Sequence, residues 1–231
     1  IDKIIEMTKP TSKSSFLDIG SGTGEISGQL SKKGFQVYAL DNSKSMVNYI
    51  EKNHPEVQVK CGDAKQAINY EKGSFSHILS TGFSVYLFKN KDEYFRNCYF
   101  WLKPGGYLII HLVDREKFDP IVPGGKPPLL KNPQQYASSR ITDTVIDFID
   151  FKYRGDYNFS NLNKNEVTFK ETFTDDLTKN VRQQETKLYM EDIDFILQRA
   201  SQAGFIPHAQ INMSHCCEDE HQYLVILERG Q

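Results

Sequence analysis

The sequence predicts an α/β fold, in which a doubly wound and mostly parallel sheet is interrupted late in the chain by an inserted antiparallel β meander. Three observations predict it. Short apolar runs alternate with helix-like segments over residues 1–113, the pattern of a parallel sheet with crossover helices. A glycine turn, Gly20-Ser21-Gly22-Thr23-Gly24, follows the first apolar run directly and opens a helix. After Asp114 the texture changes to segments of partial alternation separated by turn residues.

The elements follow in order. Residues 16–19 form the first strand and residues 25–33 the first helix, which Gly34 stops. A second strand over 35–40 ends at Asp41, and a helix over 43–53 stops before Pro55. The third strand, 57–61, ends at Gly62-Asp63, and the fourth covers 75–80. A helix over 91–102 is closed by the breaker Lys103-Pro104-Gly105-Gly106, and the fifth strand runs over 107–113. Pro120, Pro123, Pro127, Pro128 and Pro133, with Gly124-Gly125, exclude a regular helix or central strand across 119–133. Residues 144–153, 166–175 and 179–189 read as a three-segment meander. Helical spacing returns over 191–203, with Ile193, Ile196, Leu197 and Ala200 on one face and Gly204 as the stop. Residues 205–213 and 222–228 are the last two strands, joined as a hairpin, which makes a seven-stranded sheet whose last strand is antiparallel. Residues 1–113 and 190–231 thus form a core, and residues 114–189 an insertion.

Composition bounds the function. At 231 residues and 26.6 kDa the chain suits one large domain, or a core carrying an insertion. With 39% hydrophobic residues, 15 Phe and 12 Tyr, it carries more bulky apolar material than a disordered chain. Lys and Arg number 28 against 30 Asp and Glu, and residues 114–190 hold 12 basic and 12 acidic groups. No stripe of positive charge is present to hold a polyanion, so nucleic acid is not favoured as a partner. The four cysteines lack the density of a disulfide framework, which points to a reducing, cytoplasmic location. No apolar run approaches the ~20 residues that span a bilayer. The chain opens at Ile1 rather than Met, so residues before it are expected.

The glycine turn is where chemistry concentrates. Glycines at 20, 22 and 24 let the backbone pass close to a bound nucleoside. A dinucleotide site prefers Gly-x-Gly-x-x-Gly, whereas here the third glycine comes one residue early and Asp18 precedes the turn. That acid suits a ligand with a positive amino group better than one with phosphates. Asp41 ends the second strand, where a carboxylate can accept both hydroxyls of a ribose. Asp63 ends the third, where it can accept from an adenine amine. Each Asp also has a plainer use, as the cap of the helix that follows.

These residues resemble the class I S-adenosylmethionine-dependent methyltransferases, which have a Rossmann-like sheet. The likeness is carried by Phe16-Leu17-Asp18-Ile19-Gly20-Ser21-Gly22-Thr23-Gly24, by Leu40-Asp41-Asn42-Ser43 with Met46, by Gly62-Asp63-Ala64 and by Leu102-Lys103-Pro104-Gly105-Gly106. Residues 75–87, in particular Ser84-Val85-Tyr86-Leu87, and the strands over 171–189 resemble the small-molecule branch that includes the amino-sugar N-methyltransferases. The resemblance implies S-adenosyl-L-methionine as cofactor and S-adenosyl-L-homocysteine as product. Asp18, Gly20, Ser21 and Gly22 would line the methionine half, Asp41 and Asn42 the ribose, Met46 the adenine face, Asp63 and Ala64 the adenine edge, and Ser80 and Thr81 the floor beneath the sulfonium.

Methyl transfer is an in-line displacement, so catalysis rests mainly on positioning, with a proton acceptor near the nucleophile. His111 and Asp114, at the end of the fifth strand, and Tyr86, after the fourth, lie on the correct sheet edge for that role. His111 in an apolar strand also has the reading of a satisfied core residue, and Asp114 that of an ion-pair partner for Arg115 or Lys117. The run His215-Cys216-Cys217-Glu218-Asp219-Glu220-His221 invites a metal reading, but adjacent cysteines chelate poorly and an acidic solvated hairpin loop accounts for it, so no metal is expected. Phe148, Phe151, Tyr153, Tyr157, Phe159, Phe169, Phe173 and Tyr189 supply rings on which a sugar-like acceptor could stack, and edge strands of this length can pair two copies into a homodimer. The expected activity is methylation of a small acceptor, an amine or a hydroxyl. An RNA or protein methyltransferase, or a non-catalytic cofactor-fold domain of a longer protein, remains open.

Overall fold

The computed structural model describes residues 1–122 and 133–230, and the expected irregular stretch over 123–132 lies outside them. The chain divides into two units, the first made of residues 1–112, 193–211 and 223 onward, the second of residues 113–192 and 212–222.

The first unit opens with helix α1 (Asp2–Thr8), then strand β1 (Ser15–Ile19), helix α2 (Glu25–Lys32), strand β2 (Gln36–Asp41), helix α3 (Lys44–Asn53) and strand β3 (Gln58–Cys61). Strand β4 (Phe75–Ser80), helix α4 (Lys91–Trp101) and strand β5 (Leu102–Val113) follow. Beyond the second unit's strands β6 (Asp143–Asp147), β7 (Phe151–Asn158), β8 (Glu166–Asp175) and β9 (Val181–Tyr189) come helix α5 (Ile193–Gln202), strand β10 (Phe205–Asn212), the short helix α6 (Ser214–Cys217) and strand β11 (Gln222–Arg229). The large sheet has seven strands in the order β10-β11-β5-β4-β1-β2-β3. Strands β1 to β5 pair in parallel, β10 and β11 are neighbours at one edge, and the sheet contains one antiparallel strand pair.

Every residue of β1 is buried, as expected of a central strand covered on both faces. Phe16, Leu79, Ile109, Val37 and Ile226 from the sheet pack with Leu30 of α2, Ile50 of α3 and Ile4 of α1 in one cluster. Burying such side chains contributes about 1.5–3 kcal/mol each. Because the parallel strands stay in register, Ile19 beside Leu40, Asp41 beside Cys61 and Ser80 beside Ile110, their C-terminal ends line up along one edge.

Two expectations change. The breaker at 103–106 does not separate α4 from β5: the chain leaves the helix directly into extended structure, and the pairing jumps from Phe75 beside Leu102 to His77 beside Tyr107. This is a bulge that absorbs the glycines. A Cβ on Gly106 would come within 2.9 Å of the Ser76 carbonyl oxygen, so the close backbone approach requires glycine there. The segment over 144–153 is not one strand but parts of two, β6 and β7, which pair Asp143 with Asp156 through Asp147 with Lys152. The chain reverses at Phe148-Ile149-Asp150, where Phe148 N–H donates to the Phe151 carbonyl at 2.9 Å. The second unit's sheet therefore has four antiparallel strands, β6-β7-β8-β9. Helix α1 was not foreseen, because it is short and lacks a side-chain cap.

Candidate cofactor site

The glycine turn leaves β1 with Gly20, Gly22 and Gly24 all at positive φ. It is held from the neighbouring strand: Gly20 N–H donates to the Leu40 carbonyl at 2.8 Å, and Gly22 N–H donates to Asp41 Oδ2 at 2.9 Å. Asp41 Oδ1 accepts the Ser43 N–H at 2.9 Å, at the start of α3. A carboxylate has about four lone-pair sites. Two are taken here, so both oxygens keep capacity toward the crevice, and the helix-start reading and the ribose reading of Asp41 are compatible.

Asp18 lies one residue before the end of β1, between Ala39 of β2 and Leu79 of β4, and is 2% exposed. Burial raises its carboxyl from 3.8 to about 6; a hydrogen bond from Ser27 Oγ at 2.6 Å opposes this, and the nearby charge of Asp41 adds to it. Ser27 is a residue sequence reasoning missed. Its signal is a hydroxyl on the apolar face of α2, between Ile26 and Leu30 and nine residues after Asp18.

The floor comes from the next strand. Ser80 is fully buried at the end of β4, and Thr81 is half-buried beyond it. After Gly82 the chain passes through Phe83 at φ 68°, strained backbone for a bulky residue. The following turn, Ser84–Leu87, places Ser84 so that a Cβ on Gly20 would meet its Oγ at 2.6 Å. Sequence reasoning named Ser84 only within the Ser84-Val85-Tyr86-Leu87 segment and gave it no role at the site, where it stands against Gly20. On the adenine side, Met46 is 37% exposed on α3, and Asp63 caps its own loop by accepting the Lys65 N–H at 2.9 Å. Asn97 of α4 donates to the Ala64 carbonyl at 2.9 Å and Trp101 Nε1 to the Ala67 carbonyl at 2.9 Å, fastening this segment to the core. Asn42 is exposed beside Asp41.

The three acid–base candidates have different surroundings. His111 is 7% exposed in β5 and its ring stacks on Phe83, centroids 4.9 Å apart. Tyr86 is fully buried, with the Lys91 ammonium 5.9 Å from its ring centre. Asp114 belongs to the second unit, where it pairs with Lys117 at 3.4 Å and accepts the Glu116 N–H; Arg115 instead pairs with Glu116 and Asp192. In the acidic loop over 214–221, Asp219 is a structural hub that accepts from the backbone of Asp119 and His221 and from the Gln222 amide.

The donor set fits a nucleoside sulfonium carrying an amino acid. Ser21 Oγ is buried without a hydrogen-bond partner, so its bonding capacity is available to a ligand group. A Cβ on Gly22 would meet nothing within 4 Å, so the space over that glycine is open. Gly22→Val is therefore expected to fold, at a cost of about 1–3 kcal/mol from its φ of 55°, while blocking that space. Denaturant unfolding should show the modest loss, and S-adenosylhomocysteine titration at least a tenfold weaker affinity.

Residues 17–110 match the sequence family described as a methyltransferase domain. A putative methyltransferase of Bacillus subtilis is 29% identical over 128 residues, covering 52% of this chain and 51% of that protein. The chain spans about half or less, 51% and 13%, of the curated relatives it matches. Among solved structures, an S-adenosylmethionine-dependent methyltransferase from Clostridium acetobutylicum superposes with a TM-score of 0.74 at 16% identity, covering 100% of this chain and 89% of that one. An S-adenosylmethionine-bound amino pentose methyltransferase from Micromonospora echinaspora does so with 0.69 at 15%, covering 99% and 87%. At these identities the likeness is one of fold.

Proposed function

We propose that this chain, whose residues 17–110 match a methyltransferase domain family, is a cytoplasmic S-adenosylmethionine-dependent enzyme of the class I kind that methylates a small acceptor, an amine ahead of a hydroxyl. The observation that carries the reading is the strand-end constellation of Asp18, the open glycine turn with the unpartnered Ser21 hydroxyl, and Asp41. Bound S-adenosylmethionine supplies an electrophilic methyl group on a cationic sulfonium. Asp18 receives the amino group, with Gly20, Ser21 and Gly22 along the amino-acid half. Asp41 and Asn42 receive the ribose hydroxyls, Met46 covers the adenine, Asp63 and the Ala64 backbone meet its edge, and Ser80 and Thr81 line the floor.

The acceptor must offer a lone pair, so a proton has to leave it. His111 is the first candidate base, since an imidazole accepts a proton near neutral pH; Tyr86 and Asp114 are the other two. Holding donor and acceptor in line accounts for about 7–11 kcal/mol of the barrier at the upper end of measured effective molarities. The second unit selects the acceptor, and its edge strand β9, nine residues long and largely exposed, offers a surface for pairing two copies. Support for a small acceptor comes from the balanced charge of residues 114–190 and the aromatic sheet they carry, and from the amino pentose acted on by the Micromonospora protein.

Transfer of labelled methyl groups to a library of amines and alcohols, with RNA and protein as parallel acceptors, tests this. Product formation with amines, reduced at least a hundredfold by Asp41→Ala, is expected. Transfer only to RNA or protein would overturn the acceptor class.

A further inference from the structure

The acid that receives the ligand's amino group rests on a hydroxyl from another element. Ser27 is the third residue of α2 and is fully buried, on the helix face it shares with Gly28 and Leu30. Serine is a modest helix former, and a buried hydroxyl is costly unless it is bonded. Inside a helix that bond often goes to a carbonyl one turn back. Here it goes instead to Asp18 Oδ2, at 2.6 Å. The bond clasps the end of β1 to the first turn of α2, so the glycine turn over 20–24 is a loop fastened at its base.

The clasp makes the two oxygens of Asp18 unequal. An ionised carboxylate only accepts, and a serine hydroxyl has one proton to give, so the direction of the bond is fixed: Ser27 donates. Among the described residues nothing bonds Asp18 Oδ1, and that oxygen is not shut away from the surface, which makes it the one a ligand can reach. One oxygen is anchored and the other is offered. A hydrogen bond donated to the charged form favours that form.

The other groups around Asp18 oppose its charge or leave it alone. Burial and the charge of Asp41, on β2, both disfavour the carboxylate, and Ser27 is the contact that favours it. On β4, His77 lies on the same face as Leu79, which is paired with Asp18; burial lowers the imidazole to about 4, so it brings no positive charge near neutral pH. On α2, Glu25 is exposed and accepts from the Gln29 amide. His54, at the end of α3, lies against Gly24 and Gly28 and faces Glu56 at 4.0 Å.

We propose that Ser27 is a positioning residue of the cofactor site: by anchoring one oxygen of Asp18 it favours the carboxylate and presents the other oxygen to the ammonium group of the amino-acid half. This deepens the cofactor reading and rests on it. S-adenosylhomocysteine is titrated by calorimetry into wild type and Ser27→Ala from pH 5 to 8.5. Without the donor, the pH at which affinity begins to fall is expected about one to two units higher, the size of one hydrogen bond to a charged group. At pH 6.5 the variant should therefore bind about tenfold more weakly, and near pH 8.5 the two should converge. Ser27→Cys, whose thiol is a weaker donor, should move the profile part of the way, and it serves if Ser27→Ala does not fold. In an Asp18→Asn background Ser27→Ala should leave the profile unmoved, which separates Asp18 from His54 and Asp41. Methylthioadenosine, which lacks the amino acid, should bind both proteins equally. A profile unmoved by Ser27→Ala, or an equal loss at every pH and for both nucleosides, overturns the proposal. If the wild type binds no S-adenosylhomocysteine, the methyltransferase reading fails by itself; titration of the Asp18 carboxyl carbon by NMR, in wild type and Ser27→Ala, then decides whether Ser27 favours the charged form.

Discussion

Asp18→Asn is expected to make the protein more resistant to unfolding above pH 6 while weakening S-adenosylhomocysteine binding by about 10- to 100-fold. The two effects share one cause. Burial, with the charge of Asp41 adding to it, lifts the carboxyl from 3.8 to about 6 against the Ser27 hydrogen bond. A group whose folded value lies above its unfolded value contributes stability that is fully present below about 3.8 and is lost as pH rises through about 6. Lifting a carboxyl that far corresponds to ~3 kcal/mol at most. Above pH 6 the wild type holds an ionised group in a buried place, whereas the asparagine is neutral and can still accept from Ser27. A gain of about 1–3 kcal/mol, or a few degrees in Tm for a chain of this size, should appear at pH 7.5 and vanish near pH 4. A charge-assisted hydrogen bond to the ligand's amino group, worth about 1.5–3 kcal/mol, disappears in the same variant. Denaturant titrations at both pH values, paired with ligand calorimetry, measure both sides of the trade.

Asp41→Ala is expected to have the largest effect on binding, at least a hundredfold, with about 1–3 kcal/mol lost from folding. Its two oxygens take the N–H groups of Gly22 and Ser43, so truncation leaves two donors without their acceptor and frees the turn from the start of α3. The ribose hydroxyls lose their partner as well. Asp41→Asn should be nearly as damaging as alanine. An amide offers one accepting oxygen where the structure uses two, and its NH2 would face an N–H donor. Recovery of wild-type affinity in the asparagine variant would show that charge, not the paired acceptors, is what Asp41 supplies.

How much of this was legible in the sequence follows from where the punctuation lies. Strands β1 to β4 are short apolar runs ended by Gly, Asp or Ser, so their limits in the structure fall within a residue of expectation. Asp18, Asp41 and Asp63 were visible for the same reason, each placed at or beside a strand end by the chain's own rhythm. The bulge at Lys103-Pro104-Gly105-Gly106 was not, because the glycine and proline pattern that stops a helix also permits a kinked strand. The turn at Phe148-Ile149-Asp150 was hidden because it contains no glycine, asparagine or proline and reads as continuous β sequence. The contacts of Ser27, Ser84 and Glu171 were illegible for a deeper reason: their partners Asp18, Gly20 and Tyr153 lie on other elements, and only register and packing bring them together. The aromatic residues of the insertion were evident as a set, but their arrangement in pairs around one carboxylate needed the four-stranded register.

Calorimetric titration of S-adenosylhomocysteine into the wild-type chain across pH 5 to 8 is the most direct test of the cofactor site. Saturable one-site binding is expected, with an affinity that is constant above about pH 6.5 and falls about tenfold per pH unit below about 6, as Asp18 takes up its proton. Binding that is absent, or present with no change through pH 6 and intact in Asp41→Ala, would contradict it.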